Sequence, residues 1–414
     1  MGMLRRHANV YENGKFAVKE IFITENGQCG SKGGLFPLFS SDEFFSFPDT
    51  NHYFYSSVKK KVNPFSELFI LPGFVDVHVH LREPGFSYKE TISSGTEAAA
   101  CGGYTAVCSM PNLDPPPDSA DHLNVQTDLI RKTAKIPVYP YGCITKGARG
   151  ESLSDMEELA PEVIAFTDDG RGVQDEDRMR SAMQKAASLG KMIAAHCEDE
   201  RYAPAPESEY LQLKRDLRLV SETGCRYHLC HASTKESVRL IREAKKAGLP
   251  VSAETAPHYL LLTQQDVRDS GDFKMNPPIR GEADREALIE AVCDGTIDVI
   301  ATDHAPHAPE EKNKGFRNSL NGIVGLETAF ALIYTNFVKK GIFSMDRLLA
   351  LMSGNPRKLF GIAERPGDGI IVDTGEYFTV SRDGFHSKGR SMPYEGMQLY
   401  GKCLATFING RIVR

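Results

Sequence analysis

From Phe74 to about Leu359 the chain alternates short β-branched runs with segments of helical hydrophobic period, the pattern of parallel strands joined by crossover helices. The strand-like runs are Val75 to His80, Thr105 to Met110, Val138 to Ile144, Val163 to Phe166, Met192 to His196, Tyr227 to His231, Val251 to Glu254 and Val299 to Thr302. Helical period falls on Lys89 to Ala100, Ser208 to Glu222, Lys235 to Ala247 and Asp284 to Cys293, among others. Eight such units favour a closed (β/α)8 TIM barrel over an open doubly wound sheet, so the fold class expected is α/β, with the barrel on residues 73–365. Residues 1–72 and 366–414 lack this rhythm but carry β-like runs at Phe16 to Thr24, Ile370 to Val372 and Leu404 to Ile408. They are expected to pair into one small accessory β domain. The stretch from Gly33 to Phe65 has no period and reads as irregular, and no internal repeat is evident.

The length of 414 residues suits one barrel of roughly 250 to 300 residues plus this accessory piece. A formal charge of -6, with Lys and Arg scattered, gives no electrostatic footprint for nucleic acid, and Lys59-Lys60-Lys61 reads as a solvated loop. The nine cysteines form no Cys-x-x-Cys pair, and several, such as Cys108 and Cys230, sit in apolar runs; buried thiols in a reducing compartment are expected, without disulfides. No apolar run approaches about 18 residues and Met1-Gly-Met-Leu-Arg-Arg leads into no apolar signal core. A soluble, cytoplasmic protein without a membrane partner is expected.

Chemistry concentrates at Asp76-Val-His78-Val-His80-Leu-Arg82. Strand alternation would send His78, His80 and Arg82 from one face. Two neutral imidazoles suit a divalent metal such as zinc, and a guanidinium suits a carboxylate or phosphate on the substrate. An isolated His-x-His in a Val-rich strand is usually chance. Here it has company, because Asp168-Asp169-Gly170, His196, His231 and Asp303-His304 also end short apolar runs. The candidates therefore fall at the C-terminal ends of strands 1, 4, 5, 6 and 8, where such barrels keep their catalytic groups.

The stretches Asp76-Val-His-Val-His-Leu-Arg-Glu-Pro84 and Ala301-Thr-Asp-His-Ala-Pro-His307, with Lys312 beyond, resemble the dihydroorotase family of the amidohydrolase superfamily. The class resembled is the bacterial one that has an Asp where relatives use a carboxylated lysine. Supporting stretches are Gly102-Gly-Tyr-Thr-Ala-Val, Met110-Pro-Asn112, Glu254-Thr-Ala-Pro-His-Tyr-Leu and Asn276-Pro-Pro-Ile-Arg280, and the likeness runs from Leu71 to Gly361. The resemblance implies two metal ions, usually zinc: His78 and His80 on the first, His196 and His231 on the second, Asp169 bridging, and Asp303 on the first ion as the proton carrier. Residue chemistry alone leaves Asp168 and Asp169 equivalent, although only one of two successive residues should face the site. The implied reaction is the reversible closure of N-carbamoyl-L-aspartate to (S)-dihydroorotate, the third step of pyrimidine synthesis. Substrate contacts implied are His80, Arg82, Asn112, Asn276, His307, Asn321 and Gly322, and a homodimer is expected.

The sequence departs from the family at Asn321, where relatives more often have a bulky apolar residue. It departs again in the short segment Glu200 to Glu209 and in Ile370 to Phe385. His258 reads as a residue behind the ligands, His228 and His304 as packing residues, and His7, His52, His122 and His386 as surface residues. The loop from Ala308 to Gly315 reads as solvated, or as a lid. Two other readings compete: a hydantoinase or allantoinase, whose substrate lacks the carboxylate that Arg82 and His307 would meet, and a metal-free homologue kept as an assembly partner.

Overall fold

The computed structural model describes residues 3–12, 14–24, 29–31 and 67–414; the stretch from Gly33 to Phe65, Lys59 to Lys61 and His52 lie outside them, as does the side chain of His7. Strands β1 (Met3–Glu12), β2 (Lys15–Thr24), β3 (Cys29–Ser31) and β4 (Leu68–Leu71) come first. The barrel strands follow as β5 (Phe74–Val79), β6 (Tyr104–Ser109), β7 (Val138–Pro140), β8 (Met192–Ala195), β9 (Arg226–Leu229), β10 (Val251–Thr255) and β11 (Val299–Ile300). The chain ends with β12 (Gly369–Thr379), β13 (Gln398–Ile408) and β14 (Arg411–Ile412).

Two parallel sheets make the barrel wall, β5-β6-β7 and β11-β10-β9-β8. They close on each other at two seams. At one, Phe166 bridges Gly142 and Ile193; at the other, His304 bridges Val79 and its carbonyl accepts the N–H of His80 at 2.8 Å. The Asp76 carboxylate reinforces the second seam by accepting the N–H of Thr302. Val75, Ala106, Cys108, Ala165, Ala194, Cys230 and Val299 form one buried cluster. Side chains from strands that are not neighbours meet only along the barrel axis, so this cluster is the plug beneath the site.

The expected fourth strand, Val163 to Phe166, is not a regular strand. Its groups bond alternately to either neighbour, Ile164 N–H to Pro140 O, Ala165 O to Gly142 N–H and Phe166 to Met192 and Ala194, so no continuous ladder accumulates. The expected strands Val138 to Ile144 and Val299 to Thr302 shorten to β7 and β11. Thr91, Ser119, Asp175 and Thr234 cap the helices Ile92–Cys101, Ala120–Thr133, Glu176–Ser188 and Lys235–Lys246 by accepting an N–H in the first turn. Pro206–Thr223 and Glu282–Asp294 complete the longer helices.

The terminal segments share a seven-stranded sheet of order β14-β13-β12-β4-β1-β2-β3. Its two halves meet where β4 pairs antiparallel with β12, Leu71 opposite Ile370. The β-like runs expected near both ends lie in β2, β12 and β13. The cysteines from Cys101 to Cys403 are free, and among the described residues no helix is long and apolar enough to cross a membrane.

Candidate active site

The C-terminal rim of the barrel gathers the histidines and aspartates into one cluster. His78 Nε2 lies 3.4 Å from Asp169 Oδ1 and 3.5 Å from Asp303 Oδ1. His80 Nε2 lies 3.0 Å from Asp303 Oδ1 and 3.5 Å from Asp169 Oδ2. His196 Nδ1 and His231 Nε2 are 2.9 Å apart and stand 3.7 and 3.6 Å from Asp169 Oδ1. Asp169 is thus central to four imidazoles. Asp168 turns the other way and accepts the N–H groups of Ile144 and Thr145.

The backbone is bent to aim these groups. Arg82, His231 and Asp303 adopt φ of 60°, 35° and 47°, left-handed conformations that cost a non-glycine residue on the order of 1–3 kcal/mol each. Arg82 therefore does not leave the same strand face as His78 and His80 by simple alternation. β5 ends at Val79 and its register with β6 already shifts between Asp76 and Val79. The guanidinium reaches the rim from the turn beyond, where its Nε donates to Pro306 O at 3.2 Å and its Nη2 lies 3.3 Å from His307 Nε2.

Buried carboxylates stand behind the imidazoles. His78 Nδ1 donates to Glu254 Oε1 at 2.6 Å, while Glu254 also accepts from His228 Nε2 at 3.1 Å and from the N–H of His231 at 3.3 Å. Burial alone would raise the Glu254 carboxyl, but His78 and His228 hold it down at about 2. Burial likewise opposes ionisation of Asp303, and His78 and His80 overcome it, leaving its carboxyl well below the usual range. Glu198 Oε2 accepts from His196 Nε2 at 3.1 Å and from Asn276 Nδ2 at 3.0 Å. The sequence pattern gives neither glutamate a role; its one signal is a charged residue inside, or just after, an apolar strand.

This donor set fits metal ions. His78 Nε2 and Asp169 Oδ1 are buried atoms without hydrogen-bond partners, facing each other too far apart to bond directly. Ligand atoms of His78, Asp169 and His231 lie within 4.8 Å of one another, as do those of His78, His80 and Asp303. The two trios share His78, whose other nitrogen is fixed by a carboxylate, the arrangement that orients metal-binding imidazoles.

A cavity of about 250 Å³ opens over the cluster, lined by His80, Asp169, His196, His231 and Asp303 together with Arg82, Asn112, Asn276, His307, Asn321 and Gly322. Asn112 Nδ2 donates to Asp169 O at 2.6 Å, and its Oδ1 is buried without a partner. Burial, then Arg82 and Lys89, push the His307 imidazole down to about 4, so it is neutral; its Nε2 donates to Asn321 O at 2.8 Å. Gly322 has φ 134°, and a Cβ there would stand 2.5 Å from Ala305 O, so no side chain fits.

The loop from Ala308 to Gly315 is not simply solvated. Lys312 is buried and its ammonium donates to the carbonyls of Lys274, Leu320 and Gly322, which fixes the Asn321–Gly322 backbone at the cavity rim. His258 is buried, outside the cavity lining, and burial lowers it to about 4. His304 bonds the N–H of Gly325 and faces Glu90, and His228 bonds Ser252 and Glu254. His122 pairs with Asp118 on the surface, whereas His386 is three-quarters covered and faces Glu327 and Cys101.

A parallel eight-membered barrel whose rim holds imidazoles and carboxylates in this way defines a metal-dependent cyclic amidohydrolase. The family described as dihydro-orotase-like matches residues 68–205. The chain is 42% identical over 435 residues to a dihydroorotase of Fusobacterium nucleatum, covering 99% of this chain and 98% of that one. It is 47% identical over 370 residues to a dihydroorotase of Staphylococcus epidermidis, covering 83% and 87%. Among solved structures, L-hydantoinase (dihydropyrimidinase) from Arthrobacter aurescens aligns with a TM-score of 0.78 at 23% identity, covering 98% of this chain and 94% of that one. D-hydantoinase from Bacillus sp. AR9 aligns at 0.80 and 21% identity, covering 99% and 94%, and both likenesses concern the fold alone. The chain belongs to the dihydroorotase family.

Proposed function

We propose that this protein is a zinc-dependent dihydroorotase, interconverting N-carbamoyl-L-aspartate and (S)-dihydroorotate in de novo pyrimidine biosynthesis. The observation that carries the substrate choice is the placement of Arg82 and neutral His307 on the wall of the cavity that holds the His and Asp cluster. A guanidinium fork already oriented by Pro306 O suits the free carboxylate that dihydroorotate has and hydantoin lacks. His78, His80 and Asp303 would hold one zinc ion, His196 and His231 the other, with Asp169 between them. When bound, the ions supply Lewis acidity at the carbonyl and make water a better acid.

The remaining work belongs to the chain. In the hydrolytic direction Asp303, kept ionised, takes the proton of the attacking water and delivers it to the departing ring nitrogen; in closure the same carboxylate moves the proton back. Arg82, Asn112 and His307 hold the substrate carboxylate, while Asn276 and the backbone at Asn321 and Gly322 hold the polar edge of the ring. His80, which lines the cavity, also contacts substrate. Residues 73–365 form the catalytic barrel in this reading, and 1–72 with 366–414 the accessory β domain. The protein works in the cytoplasm as a homodimer, without nucleic-acid or membrane partners.

The test is a zinc titration of metal-stripped protein read out by cyclisation of carbamoyl-aspartate, with dihydroorotate, hydantoin and allantoin offered in parallel. Zinc-dependent turnover of carbamoyl-aspartate and dihydroorotate is expected. Turnover confined to hydantoin or allantoin would overturn the substrate assignment, and no metal uptake would favour the inert homologue.

A further inference from the structure

A second group of ligand-type side chains lies outside the site cavity. Cys101 ends the helix Ile92–Cys101, Glu327 stands two residues before the helix Ala329–Ile333, and His386 follows the short turn Arg382–Gly384. These three segments bring Sγ, a carboxylate oxygen and an imidazole nitrogen within 4.8 Å of one another. His386 Nδ1 is 3.2 Å from Cys101 Sγ and 3.1 Å from Glu327 Oε1. All three border a cavity of about 250 Å³ that shares no lining residue with the one above the barrel.

Glu327 has an evident structural task, since its carboxylate accepts the N–H of His386 and that of Ser387. A carboxylate offers about four lone-pair positions, so those bonds do not exhaust it. One hydrogen on His386 Nδ1 can be shared between Glu327 Oε1 and Cys101 Sγ, but sulfur is only a weak acceptor, so without an ion the thiol gains little from the contact. A cation at the centre satisfies all three atoms at once. Sulfur, nitrogen and oxygen donors together suit zinc and its neighbours rather than magnesium or calcium. Lys402 and Arg414 border the same cavity, so a position open to it suits water or an anion.

We propose that Cys101, Glu327 and His386 form a separate three-ligand site for a zinc-class divalent cation, which clamps the loop carrying His386 against the barrel. Burial pushes the Cys101 thiol well up, so it keeps its proton until the cation displaces it to solvent, as thiolate ligation requires. The clamped loop continues into Ser387, whose hydroxyl donates to Glu90 at 2.5 Å, and Glu90 lies 3.4 Å from His304 beside Asp303. The clamp therefore braces, two contacts away, the turn that carries a cluster residue.

The test titrates metal-stripped full-length protein with Co²⁺ alone and follows thiolate-to-cobalt charge transfer in the near ultraviolet. The main cluster's imidazoles and carboxylates do not produce that absorption; two other thiols lie near a cluster, Cys230 beside His78 and Glu254, and Cys403, which borders the same cavity as Cys101. Wild type should show the band. Cys101→Ser and His386→Ala should lose it together with one equivalent of bound cobalt, and Cys230→Ser should keep it. Absence of the band in wild type overturns the proposal by itself. So does a band that survives both Cys101→Ser and His386→Ala. If Cys101→Ser does not fold, the wild-type and His386→Ala spectra decide.

Discussion

Glu254→Gln tests how much of the metal affinity originates behind the ligands. The side chain keeps its shape, and the amide oxygen can still accept from His78 Nδ1, now 2.6 Å from Glu254 Oε1. The new NH2 would face His228 Nε2, whose ring can change tautomer because its Nδ1 lies 2.7 Å from the Ser252 hydroxyl, whose oxygen can accept the relocated N–H. What is lost is charge: bonds to ionised groups contribute about 1.5–3 kcal/mol and neutral ones about 0.5–1.5 kcal/mol, so roughly 1–2 kcal/mol disappears at His78. That corresponds to about tenfold in metal affinity, at the lower end of the roughly 10- to 100-fold seen when such supporting partners are removed. The proton competes for the same nitrogen. Burial lowers the His78 pKa, but Asp169 and Glu254 more than reverse this and raise it well above 6.5, so the wild-type site holds its proton the harder. The variant's deficit should consequently be larger near about pH 9 than near about pH 7. Zinc affinity measured against a competing chelator at both values checks this. Affinity within a factor of about two of wild type at the higher pH would refute the argument.

Asp303→Asn should leave the circular dichroism spectrum unchanged while lowering turnover by about 10²- to 10⁴-fold, measured at saturating zinc to offset the weaker amide ligand; retained turnover would remove Asp303 from proton transfer. Arg82→Lys replaces a fork with a point charge and should raise the KM for dihydroorotate roughly tenfold with a smaller change in kcat; an unchanged KM would contradict the carboxylate assignment. Burial raises the Asp76 carboxyl to about 7 against the bonds from Thr302 and His78. Its folded pKa lies above the unfolded one, so this group favours the native state at low pH, and that contribution is lost as pH rises from about 4 through about 7. Metal-stripped Asp76→Asn should lack this decline in Tm; parallel Tm curves for variant and wild type would refute it.

Much of the barrel is legible because the strands are short, largely apolar runs that lead into a polar residue, as at Ala195-His196 and Leu229-Cys230-His231. The fourth run departs from the expected strand: Val163 to Phe166 has strand composition, but its bonds divide between two neighbours and form isolated bridges instead of a ladder. Strand alternation alone does not put Arg82 beside the histidines, since it ends with β5 at Val79 and a left-handed turn does the aiming. Glu254 and Lys312 were the harder cases. Ionisable groups buried in the interior read as surface residues until their partners, two imidazoles for Glu254 and three carbonyls for Lys312, are seen in space.

The seam between the first and last staves of the cylinder has a consequence for biosynthesis. His80 and Asp303 lie 223 positions apart and meet only where His304 docks against Val79. A nascent chain leaving the ribosome therefore presents His80 without Asp303 until its final stave emerges, so this pair forms only when the ring closes.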